Sequence, residues 1–156
     1  MNAYNSLIDT FSSLTKYTAV DAGADSQSSS NGALLGDSTL RTIQTQLKSM
    51  LSNTVSSSNY KTLAQIGITT DPSDDKLELD ADKLTAALKK DASGVGALIV
   101  GDGKKTGITT TIGSNLTSWL STTGIIKAAT DGVSKTLNKL TKDYNAASDR
   151  IDAQVA

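Results

Sequence analysis

Apolar residues recur at helical spacing through most of the chain. Tyr4, Leu7, Ile8, Phe11 and Leu14 fall at steps of three and four, which puts them on one helix face. Thr10, Ser13 and Lys16 lie off that stripe. The stripe is established by Tyr4 with only Asn2 available as a cap, so this helix reads as one cut at its start. A second stripe, Leu40, Ile43, Leu47, Met50 and Leu51, follows Gly36-Asp37-Ser38-Thr39. Asp37 is the expected N-cap, its carboxylate accepting from free amides of the first turn. A third helix opens at Asp80-Ala81-Asp82 and runs through Leu84, Ala87 and Leu88, with a separate apolar piece from Val95 to Val100. A fourth covers about Ile108 to Leu120, turning Ile112, Leu116, Trp119 and Leu120 inward, and Gly124 ends it.

The last segment, about 131–156, carries the longest pattern. Val133, Leu137, Leu140, Tyr144, Ala147, Ile151 and Val155 are spaced four, three, four, three, four and four. The first five intervals form a heptad-like seam and the last slips by one residue. Such a seam needs a helix partner, inside the chain or outside it, and the Tyr4 stripe is the internal candidate. The stripe is unfinished at Ala156 with no C-cap glycine, so this helix also reads as cut.

Between the helices the pattern changes. About 21–33 is a Ser-rich, small and aperiodic stretch, expected to be a flexible loop. The second helix dissolves at Ser52-Asn53, before Ser56-Ser57-Ser58. From about 66 to 79, Ile66-Gly67-Ile68-Thr69-Thr70 leads into a turn at Asp71-Pro72-Ser73-Asp74-Asp75. Leu77 and Leu79 then alternate with Lys76 and Glu78, which predicts a short β-hairpin. The fold class is therefore mainly α: a helical bundle or coiled-coil-like domain, single over 1–156, with one hairpin.

Composition narrows the chemistry. The chain has no His and no Cys, which removes imidazole- and thiolate-based catalysis and nearly every transition-metal site. One Phe, one Trp and 37% apolar residues give a thin core of Leu, Ile, Val and Ala. A net charge of −1 with scattered Lys and Arg carries no nucleic-acid footprint. No apolar run approaches the ~20 residues of a membrane span, and the start lacks the basic and apolar regions of a cleaved signal peptide.

Two motifs invite a ligand. Ala97-Leu98-Ile99-Val100-Gly101-Asp102-Gly103-Lys104-Lys105-Thr106 resembles a phosphate-cradling loop. Its spacing fails both templates: Leu98 stands where a P-loop needs Gly, and Thr106 where the dinucleotide fingerprint does. A helix-to-helix turn is the plainer reading. The acids Asp71, Asp74, Asp75, Glu78, Asp80 and Asp82 could suit calcium, but lack the EF-hand pattern and fit a turn followed by an acidic helix start. Scattered aromatics argue against a sugar cleft. No catalytic residue, cofactor or metal site is assigned.

Several blocks resemble one family. Ala3-Tyr4-Asn5-Ser6-Leu7-Ile8, Leu34-Leu35-Gly36-Asp37-Ser38-Thr39-Leu40-Arg41, Leu63-Ala64-Gln65-Ile66-Gly67-Ile68-Thr69 with Lys76-Leu77-Glu78-Leu79-Asp80, and Thr123-Gly124-Ile125-Ile126 are similar to the C-terminal half of the hook-associated protein 2 family, the flagellar filament caps. The family turn usually carries Gly where this chain has Asp75, so the hairpin is expected to carry strain or another turn type. The resemblance implies a fragment of the helical leg domain, with an earlier helix of the parent chain completing it. It implies a self-assembling ring at the extracellular filament tip that promotes flagellin insertion and polymerisation and prevents its leakage. The implied partners are further copies, flagellin, the hook-associated junction proteins and an export chaperone, with export through the flagellar channel. The assembly residues then expected are Tyr4, Leu7, Ile8, Phe11 and Leu14, and Val133, Leu137, Leu140, Tyr144, Ile151 and Val155. An adhesin-like module binding host mucin glycans is the alternative. An enzyme acting through Ser, Lys and carboxylates would need a buried group with a strongly shifted pKa in a cleft.

Overall fold

The structure, a computed structural model, describes residues 1–20, 23, 26, 28–53 and 59–155. Part of the expected 21–33 loop and the run Ser56-Ser57-Ser58 lie outside the described residues. Two compact units divide the chain, Met1–Ser114 and Asn115–Ala156.

In the first unit, helix α1 (Asn2–Thr15) buries Ile8 and Phe11 and half-buries Tyr4, Leu7 and Leu14. The chain returns over its C-terminal end, where Gly32 N donates to Lys16 O at 2.7 Å and Leu34 N to Leu14 O at 2.9 Å. A Cβ on Gly32 would lie 2.3 Å from Leu14 O, so only glycine fits this crossing. Helix α2 (Ser38–Ser52) buries Leu40, Ile43, Leu47, Met50 and Leu51. Asp37 caps it, its Oδ1 accepting from Leu40 N at 2.7 Å.

After a 3-10 turn at Leu63–Ile66, strands β1 (Ile68–Thr70) and β2 (Leu77–Leu79) pair antiparallel, Ile68 facing Leu79 and Thr70 facing Leu77. The expected hairpin and the mainly helical class are both present. Asp75 adopts φ 63° and is the one non-glycine with positive φ among the described residues. The turn has kept the left-handed position usually given to glycine, and Asp occupies it at a steric cost. Lys48 reaches its carboxylate at 2.6 Å.

The hairpin is tied to α1 through one side chain. Asn5 Nδ2 donates to Leu77 O at 2.9 Å, and Leu77 N donates to Asn5 Oδ1 at 2.8 Å. The amide thus acts as a one-residue strand against the outer edge of β2. Nearby, Lys76 pairs with Asp9 at 2.7 Å.

Helix α3 (Ala81–Ile99) starts on an Asp80 cap, with Lys83 N donating to Asp80 Oδ1 at 2.9 Å. The apolar piece at 95–100, expected to stand apart, is largely the second half of this helix. The two halves meet at Asp91, whose φ of −158° and ψ of 82° break the helix. Asp91 then caps the second half: Gly94 N donates to its Oδ1 at 2.8 Å and Asn59 Nδ2 to its Oδ2 at 2.7 Å. A Cβ on Gly94 would fall 2.4 Å from that carboxylate. Leu51, Leu63, Ile66, Leu77, Ala87, Val95, Leu98 and Ile108 form the core, with Tyr4, Tyr60, Ile68, Leu84, Ile99 and Ile112 packed against it.

The loop 101–107 turns on Asp102, whose Oδ1 accepts from Lys104 N, Lys105 N and Thr106 N at 2.8–2.9 Å. Helix α4 (Ile108–Trp119) comes next and runs through the boundary at Ser114. In the second unit Trp119 is buried, but Leu120, expected to face inward, is 70% exposed. The helix ends one residue before it, and Leu120 begins the turn to Gly124. Helix α5 (Ile125–Val155) is 31 residues long and starts six residues before the expected 131. Ala128 N donates to Gly124 O at 3.0 Å, and Lys127 pairs with Asp131 one turn on, so the first turns form despite Gly132.

Replacing Asn5 by Ala leaves the amide and carbonyl of Leu77 unmatched and is expected to cost about 1–3 kcal/mol in urea unfolding. Asn5→Asp keeps an acceptor for Leu77 N but sets a charge against Leu77 O, and should not restore that stability.

Backbone N–H donors hold the pKa of Asp102 well below the usual carboxylate range; the Ser73 amide lowers that of Asp71, and the Asn59 amide with Gly94 N lowers that of Asp91. A depressed folded pKa stabilises above the unfolded value, near ~4, and that stability is lost as pH falls through the folded pKa. Melting temperature should therefore hold steady above this value and fall below it. Asp102→Asn, which keeps an acceptor but cannot titrate, should show a shallower acid loss; an identical pH profile would contradict the assignment.

Candidate functional site

The expected assembly residues separate into two groups. On α1 they are drawn inward: Ile8 and Phe11 are 5% and 6% exposed. Tyr4 lies half-buried with its hydroxyl oxygen buried and without a partner. Burial raises its pKa, and the Asp75 carboxylate adds to the effect. These side chains belong to the body of the first unit.

On α5 the reverse holds. Val133, Leu137, Leu140, Tyr144 and Ile151 are 59–72% exposed, and Ile126, one heptad before Val133, is exposed too. Ala147 is half-buried, and the side chain of Val155 lies outside the described residues. The helix holds its shape by local means. Lys139 pairs with Asp143, and the hydroxyls of Thr130, Thr136 and Thr141 bond back to Ile126 O, Gly132 O and Leu137 O. These polar groups flank the seam and leave its apolar line open.

An exposed line of large apolar side chains at 3.5-residue spacing has the geometry that packs against a second helix. Fully burying a Leu or Ile side chain is worth roughly 1.5–3 kcal/mol, so five positions that are more than half exposed leave several kcal/mol to a partner.

The other candidates resolve into structural roles. In the glycine loop, the amides that would cradle a phosphate already donate to Asp102, and Asp102 N donates to Thr106 Oγ1 at 2.9 Å. Gly101 and Gly107 cross so closely that a Cβ on either would meet backbone at 2.2 Å. The loop carries its own anion. In the acidic stretch, Asp71 Oδ1 accepts from Ser73 N, Asp74 Oδ1 from Lys76 N, Asp75 meets Lys48 and Asp80 caps α3. Among the described residues, no group of three acidic side chains is placed to hold a metal ion. The shifted carboxylates are shifted downward, which keeps them charged at neutral pH and does not suit them to proton donation.

Sequence reasoning did not single out Asn5, Asp91 or Asp102 for these roles. Asp102 had a local signal, an Asp followed within four residues by several free amides. Asn5 had none, because its partner lies 72 residues away.

A family model described as "Flagellar hook-associated protein 2 C-terminus" matches residues 1–156. The flagellar hook-associated protein 2 of Escherichia coli is 98% identical over the whole chain, which covers 34% of that relative. That of Salmonella typhimurium is 53% identical over the whole chain, which covers 33% of it. A crystal structure of the Escherichia coli flagellar cap protein FliD superposes with a TM-score of 0.72 at 88% identity, covering 84% of this chain and 33% of that one. The chain spans about a third of the length of the curated relatives it matches. Matched along every residue, the chain belongs to the flagellar hook-associated protein 2 family, within its C-terminal part.

Proposed function

We propose that this chain is a structural segment of the flagellar filament cap, part of one helical leg of the parent protein, and that it acts by packing α5 against another helix. The observation that carries this is the exposed seam from Val133 to Ile151. Family membership supplies the setting, since a solved relative is a flagellar cap protein. The parent protein assembles with further copies at the filament tip, where it receives flagellin, promotes its insertion and polymerisation, and stops it escaping. It meets the hook-associated junction proteins and an export chaperone, and travels through the flagellar channel.

The physical logic rests on narrow stripes. A seam of single Leu, Val and Ile layers flanked by Ser, Thr and Asn can be repacked in a neighbouring register at small cost, and a cap must shift as each subunit is added. Among the described residues, no feature favours glycan binding.

The test uses the full parent gene in cells lacking the cap protein, with monomeric flagellin in the medium as readout. The unaltered gene should stop leakage. The Leu137→Asp, Leu140→Asp pair should be exported in normal amount and still leak. Normal export with no leakage would remove the seam from the mechanism, and failure of the unaltered gene would overturn the cap assignment itself.

A further inference from the structure

The return of the chain onto the end of α1 places an Asn-Gly step, Asn31-Gly32, in a hydrogen-bonded seat. Asn followed by Gly is the pair least hindered toward self-reaction, because Gly offers no side chain to block attack by its own nitrogen. Here both reacting groups are engaged. Asn31 Oδ1 accepts from Thr18 N at 2.6 Å, and Gly32 N donates to Lys16 O at 2.7 Å. We propose that Asn31 is a site of spontaneous deamidation that the docked loop suppresses, so that modification marks chains whose loop has lifted from α1.

The chemistry is closed. With the loop lifted, the Gly32 amide gives its proton to water and its nitrogen attacks Asn31 Cγ. The Cγ–Nδ2 bond breaks, and Nδ2 leaves as ammonia. Water then opens the succinimide ring at either carbonyl, giving Asp or isoaspartate at position 31. In the seat, Lys16 O holds the Gly32 proton and Thr18 N–H fixes the side-chain carbonyl, so the nitrogen cannot reach Cγ without breaking both bonds.

The seat is shallow and is disturbed by the product. Asn31 Nδ2 and Thr18 Oγ1 are both buried without partners, so two polar atoms of the docked state remain unmet. Isoaspartate inserts one methylene into the backbone between Asn31 Cα and Gly32 N. That displaces the register by which Gly32 N meets Lys16 O and Leu34 N meets Leu14 O. The crossing leaves little room for adjustment, since even a Cβ on Gly32 would fall 2.3 Å from Leu14 O. A loop modified in this way does not redock in the same geometry, so the mark persists after the chain folds.

The test follows deamidation at Asn31 by peptide mapping in the full-length parent protein, folded and in denaturing urea. The folded protein should react at least about tenfold more slowly, because reaction must await local opening. Thr18→Pro, which removes the donor to Asn31 Oδ1, should raise the folded rate toward the unfolded one. If that variant does not fold, a series at sub-denaturing urea replaces it: deamidation at Asn31 and hydrogen exchange at the Gly32 amide should rise together. Equal rates in folded and unfolded protein, or a deamidation rate that ignores Gly32 exchange, would overturn the proposal.

Discussion

The pairing of one amide side chain with one strand residue fixes how the first unit is assembled. Leu77 points its side chain into the core, while its amide and carbonyl face the outer edge of β2. A two-stranded sheet is marginal on its own, and its open edge would invite foreign strands. Asn5 meets both groups at once. It thereby closes that edge and holds α1 at the rotation that turns Tyr4, Ile8 and Phe11 inward. Apolar contact alone would tolerate a slip of α1 along the hairpin; two hydrogen bonds of fixed direction do not.

The same economy appears wherever a helix stops or restarts. With one Phe and one Trp in the chain, the core cannot dictate geometry by bulk, and directed polar contacts do so instead. Asp37, Asp80, Asp91 and Asp102 each offer a carboxylate to amides that a helix end or turn leaves free. Asp91 shows how strong this preference is: it interrupts α3 and recaps it in place, and Gly94 three residues on lets the carboxylate sit close, since a Cβ there would lie 2.4 Å from it and push it aside. What the acids do for backbone explains why they are unavailable to a metal or a substrate.

How much of this was legible in the sequence depended on range. The α2 stripe and the Asp37 cap are local, and the periodicity and the cap residue type predict what the structure contains. The hairpin was legible from Leu77 and Leu79 alternating beyond a Pro72 turn. The α3 boundary was not, because a break within a helix at Asp91 and a gap between two elements leave the same pattern; only the side chain's bonds to Asn59 and Gly94 distinguish them. Leu120 was misplaced because periodicity continues one residue past the helix that generates it. The Asn5 clip was out of reach, since no short-range rule connects positions 72 apart. For the candidate site, the seam's positions could be read from spacing, but whether they were covered could not. A 3.5-residue stripe looks the same when it is core and when it is interface.

That ambiguity gives the exposed seam its weight. On α1 and α2 the stripes are buried or half-buried within the first unit. On α5 the stripe is as regular and as apolar, yet it is open over four turns and more. A lone helix with Gly132, Ser134, Thr136 and Asn138 in succession on alternate positions has modest intrinsic helicity. Local pairs hold its shape, and covering the bare face would add the stability that tertiary packing usually gives a helix. The register also limits the shape of what can cover it. From Val133 to Ala147 the spacing follows a left-handed supercoil. From Tyr144 to Val155 the intervals of three, four and four make an eleven-residue unit, which unwinds the supercoil. Within this stretch Ala147 sits between Tyr144 and Ile151, a small residue flanked by large ones. A partner matched to the seam places bulk opposite Ala147 and tracks the change of winding, which a helix can do and a flat sheet surface cannot.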